Sequence, residues 1–213
     1  MRGLVVPIPT LPPLALRYAR SHGPFTAGEL AARFAQRHRD RLDHVLNWLE
    51  VEQPDVLCMQ ETKVTDDECP TDEFQRLGYA VVMAGEKSYN GVAIVASSPL
   101  SAVRIGLADT TDGEDKRLIA ANVSGIWIYC CYIPNGQSLE SEQFREKLQW
   151  LERLKRTLEI RHDPSDAVLL GGDFNVAFDE RDVFDPQAFV GKTHFHPEER
   201  ARLRSLCDWG LSD

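Results

Sequence analysis

The sequence predicts an α/β protein, because short apolar runs of strand length are followed by longer segments with helical periodicity. Its 213 residues suit one domain and are enough to bury a sizeable core. Twelve prolines and fourteen glycines indicate many loops between these elements. A hydrophobic content of 43% with 27% charged residues is ordinary for a soluble globular chain.

The first elements are an irregular arm and a long helix. Residues 1–25 show no periodicity and contain many prolines. Thr26 and Glu29 then have the spacing of a capping box, in which each side chain bonds the other residue's backbone. Apolar residues at every third or fourth position after that predict one amphipathic helix from about residue 27 to 52.

The rest of the chain alternates between strands and helices. Helical periodicity predicts a helix over residues 139–159, and Pro197 is suited to the first turn of a last helix that ends near Cys207. Strands are predicted at about residues 55–60, 79–84, 91–97, 118–123, 126–133 and 167–171.

The strand predicted at 167–171 ends in an acid and an amide. After Gly171 and Gly172 the chain places Asp173 and Asn175 two residues apart, a spacing that puts both side chains on one side of an extended chain. Ligands of open α/β sheets bind at the carboxyl ends of strands. A carboxylate and an amide oxygen at such a place suit a hard divalent cation or a phosphate.

Two other predicted strands end in the same kind of residue. The run that begins at Pro54 ends at Glu61, and the run that begins at Ile126 leads into Tyr132 and Asn135. A single acid after a strand is more often a solvated loop residue. Three polar strand ends favour one shared metal or phosphate site over three unrelated loops.

These strand ends belong to a set of ordered motifs. The motifs are, in order, Gln60-Glu61-Thr62-Lys63, Tyr89-Asn90-Gly91-Val92-Ala93-Ile94, Tyr132-Ile133-Pro134-Asn135-Gly136 and Gly172-Asp173-Phe174-Asn175-Val176. In these motifs the chain, from about Arg41 to the end, resembles the exonuclease III branch of the endonuclease/exonuclease/phosphatase superfamily. The segment Arg181–Pro186 is also similar to that branch.

The resemblance implies a fold and a domain division. Members of the family have two β-sheets packed face to face with helices outside, a DNase I-like β-sandwich with a cleft at one edge. We therefore expect an α/β two-sheet β-sandwich flanked by helices and incomplete at both ends. On this basis residues 1–40 form a non-family arm with the start of a helix, and residues 41–213 form a partial family domain.

The resemblance also implies an activity. Family members hydrolyse DNA phosphodiesters with Mg²⁺, with Mn²⁺ as a possible substitute, as 3′–5′ exonucleases and abasic-site endonucleases in DNA repair. By similarity, Glu61 is the metal ligand and Tyr132 lies beside the scissile phosphate. Asp173 handles the nucleophilic water or the leaving group, and Asn175 helps to hold the phosphate and to orient that aspartate.

Double-stranded DNA is the partner that the resemblance implies, with Asn90 and Asn135 on loops that line the DNA-facing edge. A net charge of −9 argues against broad nonspecific binding to nucleic acid but leaves room for a local basic groove. Basic residues in or near the predicted loops are Lys63, Lys87, Lys116, Arg117, Arg181 and Lys192.

The two ends of the chain depart from the family pattern. Residues 1–40 contain nothing like the family's first strand, whose asparagine belongs to the metal site, and the family continues past Asp213 with an Asp-His pair. We therefore expect this chain alone to be a weak or inactive nuclease. Sheet strands missing from it would leave open edges, which predicts self-association.

Two other functions stay open at the level of sequence. The chain could be a noncatalytic remnant, or a fragment that depends on a partner. It could also be a phosphatase for a small phosphoester, although the motifs Tyr132–Gly136 and Arg181–Pro186 favour the nuclease branch.

Composition bears on the compartment and on metals other than magnesium. No run of eighteen apolar residues occurs, so we expect no membrane span. Five cysteines without a Cys-x-x-Cys pair argue against a zinc site and favour free thiols in the cytoplasm. His194 and His196 could share a metal, but an ordinary loop explains them better.

Overall fold

A computed structural model describes residues 42–87 and 89–212. The predicted arm, the capping box at Thr26 and the first part of the long helix lie outside the described residues. Helix α1 occupies residues 42–52 of the described chain. The other helices are α2 (Thr71–Arg76), α3 (Glu142–Arg161), α4 (Pro186–Phe189) and α5 (Pro197–Trp209), with 3₁₀ turns at Asp66–Glu68 and Glu180–Asp182.

The strands form two sheets. They are β1 (Val56–Gln60), β2 (Ala80–Ala84), β3 (Val92–Ala96), β4 (Leu100–Ile105), β5 (Leu118–Val123), β6 (Ile126–Tyr132) and β7 (Val168–Asp173). The first sheet is antiparallel in the order β1-β3-β2. The second has the order β4-β5-β6-β7, and its only parallel pair within the described chain is β6 with β7.

The two sheets pack face to face because their strands are apolar on both sides. In β5, Ile119 and Ala121 point toward the other sheet, whereas Leu118 and Ala120 face the helices on the opposite side. Strand β3 lies at the centre of its sheet, and all five of its residues are fully buried. Such continuous apolar runs are typical of strands covered on both faces.

Helices cover the outer face of each sheet. Leu151, Leu154 and Leu158 of α3 pack with Leu203 and Leu206 of α5 against the four-stranded sheet. The other sheet is covered by α1 and α2, whose contacts include Leu49 and Phe74. The result is four layers, and it confirms the expected α/β two-sheet β-sandwich flanked by helices.

All six predicted strands are present, but three elements, strand β4 and the short helices α2 and α4, were not predicted. Pro99, directly before strand β4, indicates a turn. Polar and apolar residues do not alternate regularly along β4, since its pairing register with β5 shifts between Ser101 and Arg104. Helix α2 has only six residues, too few to show a periodicity. The last helix begins at Pro197 as predicted and continues two residues beyond Cys207.

The topology brings the polar strand ends to one edge. Strands β6 and β7 are parallel neighbours, so the residues that follow them emerge side by side. Strand β1 lies in the facing sheet and packs near both of them. No helix in the described part of the chain is both long and apolar enough to cross a bilayer.

Candidate active site

Tyr132 and Asp173 are direct partners in the parallel pair of β6 and β7. The carbonyl of Asp173 accepts a hydrogen bond from the amide of Ile133 at 2.9 Å, so the two strands stay paired up to the site. Gly172 allows this approach: its φ is +140°, and a Cβ there would lie 1.9 Å from the carbonyl oxygen of Cys131. The close approach of the two strands therefore explains why glycine precedes the aspartate.

Glu61 connects the two sheets at this edge. The hydroxyl of Tyr132 donates a hydrogen bond of 2.6 Å to its Oε1, across 71 positions of sequence. The Nζ of Lys63 lies 2.7 Å from its Oε2. Glu61 remains 45% exposed, so its carboxylate is accessible from solvent although both oxygens have partners.

The two asparagines predicted for the site lie against each other. Asn175 donates its backbone N–H to Asp173 Oδ1 at 3.0 Å, and its side-chain amide to the carbonyl of Ile133 at 2.9 Å. The amide of Asn135 donates to Asn175 Oδ1 at 3.4 Å. The two side-chain bonds join the loop after β6 to the loop after β7, and the backbone bond holds the Asp173 carboxylate against its own loop.

Asn90 reaches the site through its backbone. Its carbonyl accepts from the amide of Lys63 at 3.2 Å, which attaches the loop before β3 to the loop after β1. Its side-chain amide instead donates to Glu86 at 2.5 Å. The structure thus connects five predicted residues, Glu61, Tyr132, Asp173, Asn175 and Asn135, by contacts or strand pairing, and places Asn90 on an adjoining loop.

Left-handed backbone occurs at four residues of these loops. Positive φ values occur at Glu61 (54°), Lys63 (57°), Asn90 (46°) and Asn175 (48°). Asparagine tolerates this left-handed conformation, whereas glutamate and lysine seldom adopt it. The strained conformation of Glu61 and Lys63 costs on the order of 1–3 kcal/mol each, and such conformations are found preferentially at ligand-binding and catalytic sites.

Tyr132 stays protonated at neutral pH. Burial and the hydrogen bond to the Glu61 carboxylate raise the pKa of Tyr132 from 10.0 to about 12. The Arg117 guanidinium lies 4.9 Å from the centroid of its ring and opposes that shift. A neutral phenol can donate a hydrogen bond but cannot act as a base near pH 7.

The described residues supply only part of a coordination shell for Mg²⁺. No three His, Cys, Asp or Glu side chains come together as a metal cluster in residues 42–87 and 89–212. Mg²⁺, however, is commonly held by one or two carboxylates together with water and substrate phosphate. Glu61 is accessible and offers an oxygen ligand of that kind, so the donor chemistry fits the ion.

His194 and His196 take structural positions. The Nδ1 of His196 accepts from the amide of Glu198 at 3.3 Å and so caps α5. The carbonyl of His194 accepts from the amide of Ala177 at 2.7 Å. The ordinary-loop interpretation of these residues therefore agrees with the geometry.

Lys147 was not anticipated as part of this region. Its side chain is fully buried on α3, and its Nζ bonds the backbone carbonyls of Asn135 and Asn175 at 3.1 and 2.6 Å. A sequence signal did exist, because Lys147 lies three residues after Phe144 and four before Leu151. Those two residues belong to the apolar stripe that predicted the helix, where a lysine is out of place.

The chain is similar in sequence to a known family and to proteins of known name. Residues 32–210 match the endonuclease/exonuclease/phosphatase family. Exodeoxyribonuclease III of Haemophilus influenzae is 32% identical over 176 residues, which cover 78% of this chain and 66% of that protein. The chain thus spans slightly less than two thirds of that relative.

Solved structures agree with the fold. An AP endonuclease from Archaeoglobus fulgidus matches with a TM-score of 0.76 and 39% identity, over 80% of this chain and 66% of the other. A Neisseria 3′ phosphatase bound to a product DNA hairpin matches with a TM-score of 0.76 and 38% identity. That match covers 81% of this chain and 67% of the phosphatase.

Proposed function

The chain belongs to the endonuclease/exonuclease/phosphatase family, and on that premise we propose that its polar edge hydrolyses phosphodiester bonds in double-stranded DNA. The activity is of the exodeoxyribonuclease III type, with 3′–5′ exonuclease and abasic-site cleavage in DNA repair. The observation that carries the proposal is the contact of Tyr132 with Glu61 beside its strand partner Asp173. It joins carboxylates from two different sheets in one polar site.

Each side chain has a role in this proposal. Glu61 would hold Mg²⁺, or Mn²⁺ in its place, and when bound the ion would polarise a phosphoryl oxygen. Asp173 accepts the proton of the attacking water or, when protonated, donates its proton to the leaving oxygen. The backbone amide of Asn175 holds its carboxyl group in place for this role. The neutral hydroxyl of Tyr132 donates its single proton to Glu61 and so orients this ligand beside the phosphate.

The electrostatics of the edge suit a phosphate backbone. Lys63 and Arg117 add positive charge beside Glu61 and Tyr132, in a chain whose net charge is −9. Asn90 and Asn135 lie on the two loops that flank this edge and would contact the DNA. Phosphate contacts position the duplex without reading its sequence, so we infer that DNA shape, rather than base identity, determines the choice of substrate.

The affinity for metal should be low. Both oxygens of Glu61 already have partners, and a bound ion would have to displace the ammonium of Lys63 from Oε2. We therefore propose an impaired enzyme that needs a high concentration of Mg²⁺. The free cysteines of the described chain suit a reducing compartment such as the cytoplasm.

Incision of a fluorescent duplex with one abasic site, measured with increasing Mg²⁺, tests this function. We expect slow cleavage that requires the metal and that falls by about 10²–10⁴-fold in Asp173→Asn, the typical contribution of a positioned acid–base group. Asp208→Asn, on the last turn of α5, is the matched control and should cleave like the parent chain.

Other results would overturn the proposal. Cleavage that persists in Asp173→Asn would move the chemistry elsewhere. DNA binding without cleavage at any Mg²⁺ concentration would contradict hydrolysis and favour the noncatalytic remnant. Hydrolysis of a small phosphomonoester, with DNA left intact, would favour the phosphatase.

A further inference from the structure

A buried ion pair lies beneath the polar edge. Lys147 of α3 and Glu199 of α5 are both fully buried, and the Lys147 Nζ contacts Glu199 Oε1. Removing two charges from water is expensive, and a buried pair is not by itself evidence of stability. Its position under the site therefore needs another explanation.

The lysine holds the two loops that carry the asparagines of the site. Besides Glu199, its Nζ donates to the carbonyls of Asn135 at 3.1 Å and Asn175 at 2.6 Å. Three donors thus meet three acceptors, so the ammonium is fully satisfied. The loop after β6 also packs on its stem, since a Cβ at Gly136 would lie 3.0 Å from Lys147 Cδ.

The glutamate extends the connection to a third loop. Its Oε1 accepts from the amide of His194 at 3.2 Å, and its Oε2 accepts from the amide of His196 at 3.1 Å. The loop before α5 is in turn bonded to the loop after β7, because the carbonyl of His194 accepts from the amide of Ala177. One ion pair therefore fixes three loops.

Its geometric effect reaches the reacting carboxylate. Asn175 has a left-handed φ of 48°, and its N–H donates to Asp173 Oδ1. Holding the Asn175 carbonyl from below keeps that N–H directed at the carboxylate. A displacement of about 1 Å at a catalytic group can reduce a rate by about 10²-fold, so such support matters.

We propose that Lys147 and Glu199 are positioning residues, which set the place of Asp173 and Asn175 for phosphodiester hydrolysis without touching the substrate. The inference rests on the proposed function. Lys147 has no exposed surface through which it could contact DNA, so any effect that it has on the reaction must pass through the loops that it holds.

The test needs a variant that folds. Lys147→Met alone would leave a buried carboxylate unpaired, which is strongly destabilising. The double variant Lys147→Met with Glu199→Gln removes both charges, and glutamine still serves in the capping box of α5. Lys155→Met is the matched control, because Lys155 lies on the same helix in a partly exposed pair with Glu159.

We expect the double variant to unfold cooperatively while kcat falls about 10²-fold and KM changes by less than about twofold. Hydrogen exchange at the Asn175 amide should accelerate by about tenfold, whereas exchange at Ile119 in β5 stays unchanged. A kcat and an Asn175 exchange rate like those of Lys155→Met would overturn the inference, as would equal acceleration across the core.

The exchange measurement separates this inference from the proposed function. If the parent chain cleaves no DNA, the proposed function fails and only the exchange data bear on Lys147. Selective acceleration at Asn175 would then still support the positioning role, and its absence would refute it.

Discussion

Gly172 determines how closely β7 can approach β6 at the site. We expect Gly172→Ala to destabilise the fold by roughly 1–3 kcal/mol or more, because a strained φ adds to a clash with the Cys131 carbonyl. Urea unfolding measures the change. Gly171→Ala is the matched control, since the nearest atom to a Cβ there is 3.6 Å away. Equal stability of the two variants would show that the close approach is not required.

Tyr132 offers a test by titration. Its pKa is raised to about 12, so the folded state keeps a proton that an unfolded tyrosine loses near pH 10.0. Stability from this residue is therefore complete below pH 10 and is lost as the pH rises toward 12. The tyrosinate absorbance of the parent chain minus that of Tyr132→Phe should titrate near 12. A midpoint near 10 would contradict the contact with Glu61.

At the scale of elements, the end of α3 contains a buried polar group far from the proposed chemistry. The Nε2 of His162 lies 2.8 Å from the Tyr129 hydroxyl, and its Nδ1 lies 3.1 Å from Asp166. Burial lowers the pKa of His162 below its ordinary 6.5, although Asp166 opposes the shift. The folded chain therefore favours the neutral imidazole.

This shift has a stability consequence. Below pH 6.5 the unfolded chain takes up a proton more readily than the folded one, so stability from a neutral His162 is lost as the pH falls. The free energy of unfolding, measured in urea at about pH 7.5 and 5.5, should depend less on pH in His162→Gln. The exposed His44 is the control, and His44→Gln should keep the dependence of the parent chain.

The elements differ in how far sequence predicts them. Strands β6 and β7 were predictable because apolar runs and a glycine pair are local signals. Strand β4 was not, because its bulged register depends on pairing with β5. Motif resemblance identified Glu61 and Tyr132, but their contact across 71 positions needed the packed sheets. The position of Lys147 in the apolar stripe of α3 indicates a buried lysine, but sequence does not identify its partners, because two of its acceptors are backbone carbonyls of loops.

At the scale of the whole molecule, both sheets have open edges within the described residues. Among the described strands, β7 pairs only with β6, and β2 pairs only with β3. Strand β4 also exposes Val103 and Ile105, which are 43% and 47% accessible. Unpaired strands with exposed apolar side chains are sites of association. Self-association therefore stays a prediction, and the exposed edge of β4 is a surface on which it can be tested.

Sedimentation velocity over a range of concentrations measures this association. We expect a species larger than the 24.0 kDa monomer to grow with concentration. Val103→Lys, which places a charge on the β4 edge, should reduce it, whereas Glu198→Gln on the far helix α5 should not. A single monomeric species at every concentration would show that these edges are protected.

Glu61 and Asp173 come from two different sheets and are proposed to act in one hydrolytic site. The most direct measurement is a double-mutant cycle on Mg²⁺-dependent incision of abasic DNA, with Glu61→Gln, Asp173→Asn and the double variant. Groups that act as one unit are not additive, so we expect the double variant to be little slower than the slower single variant. Losses that simply add would show that the two carboxylates act independently and would contradict the shared site.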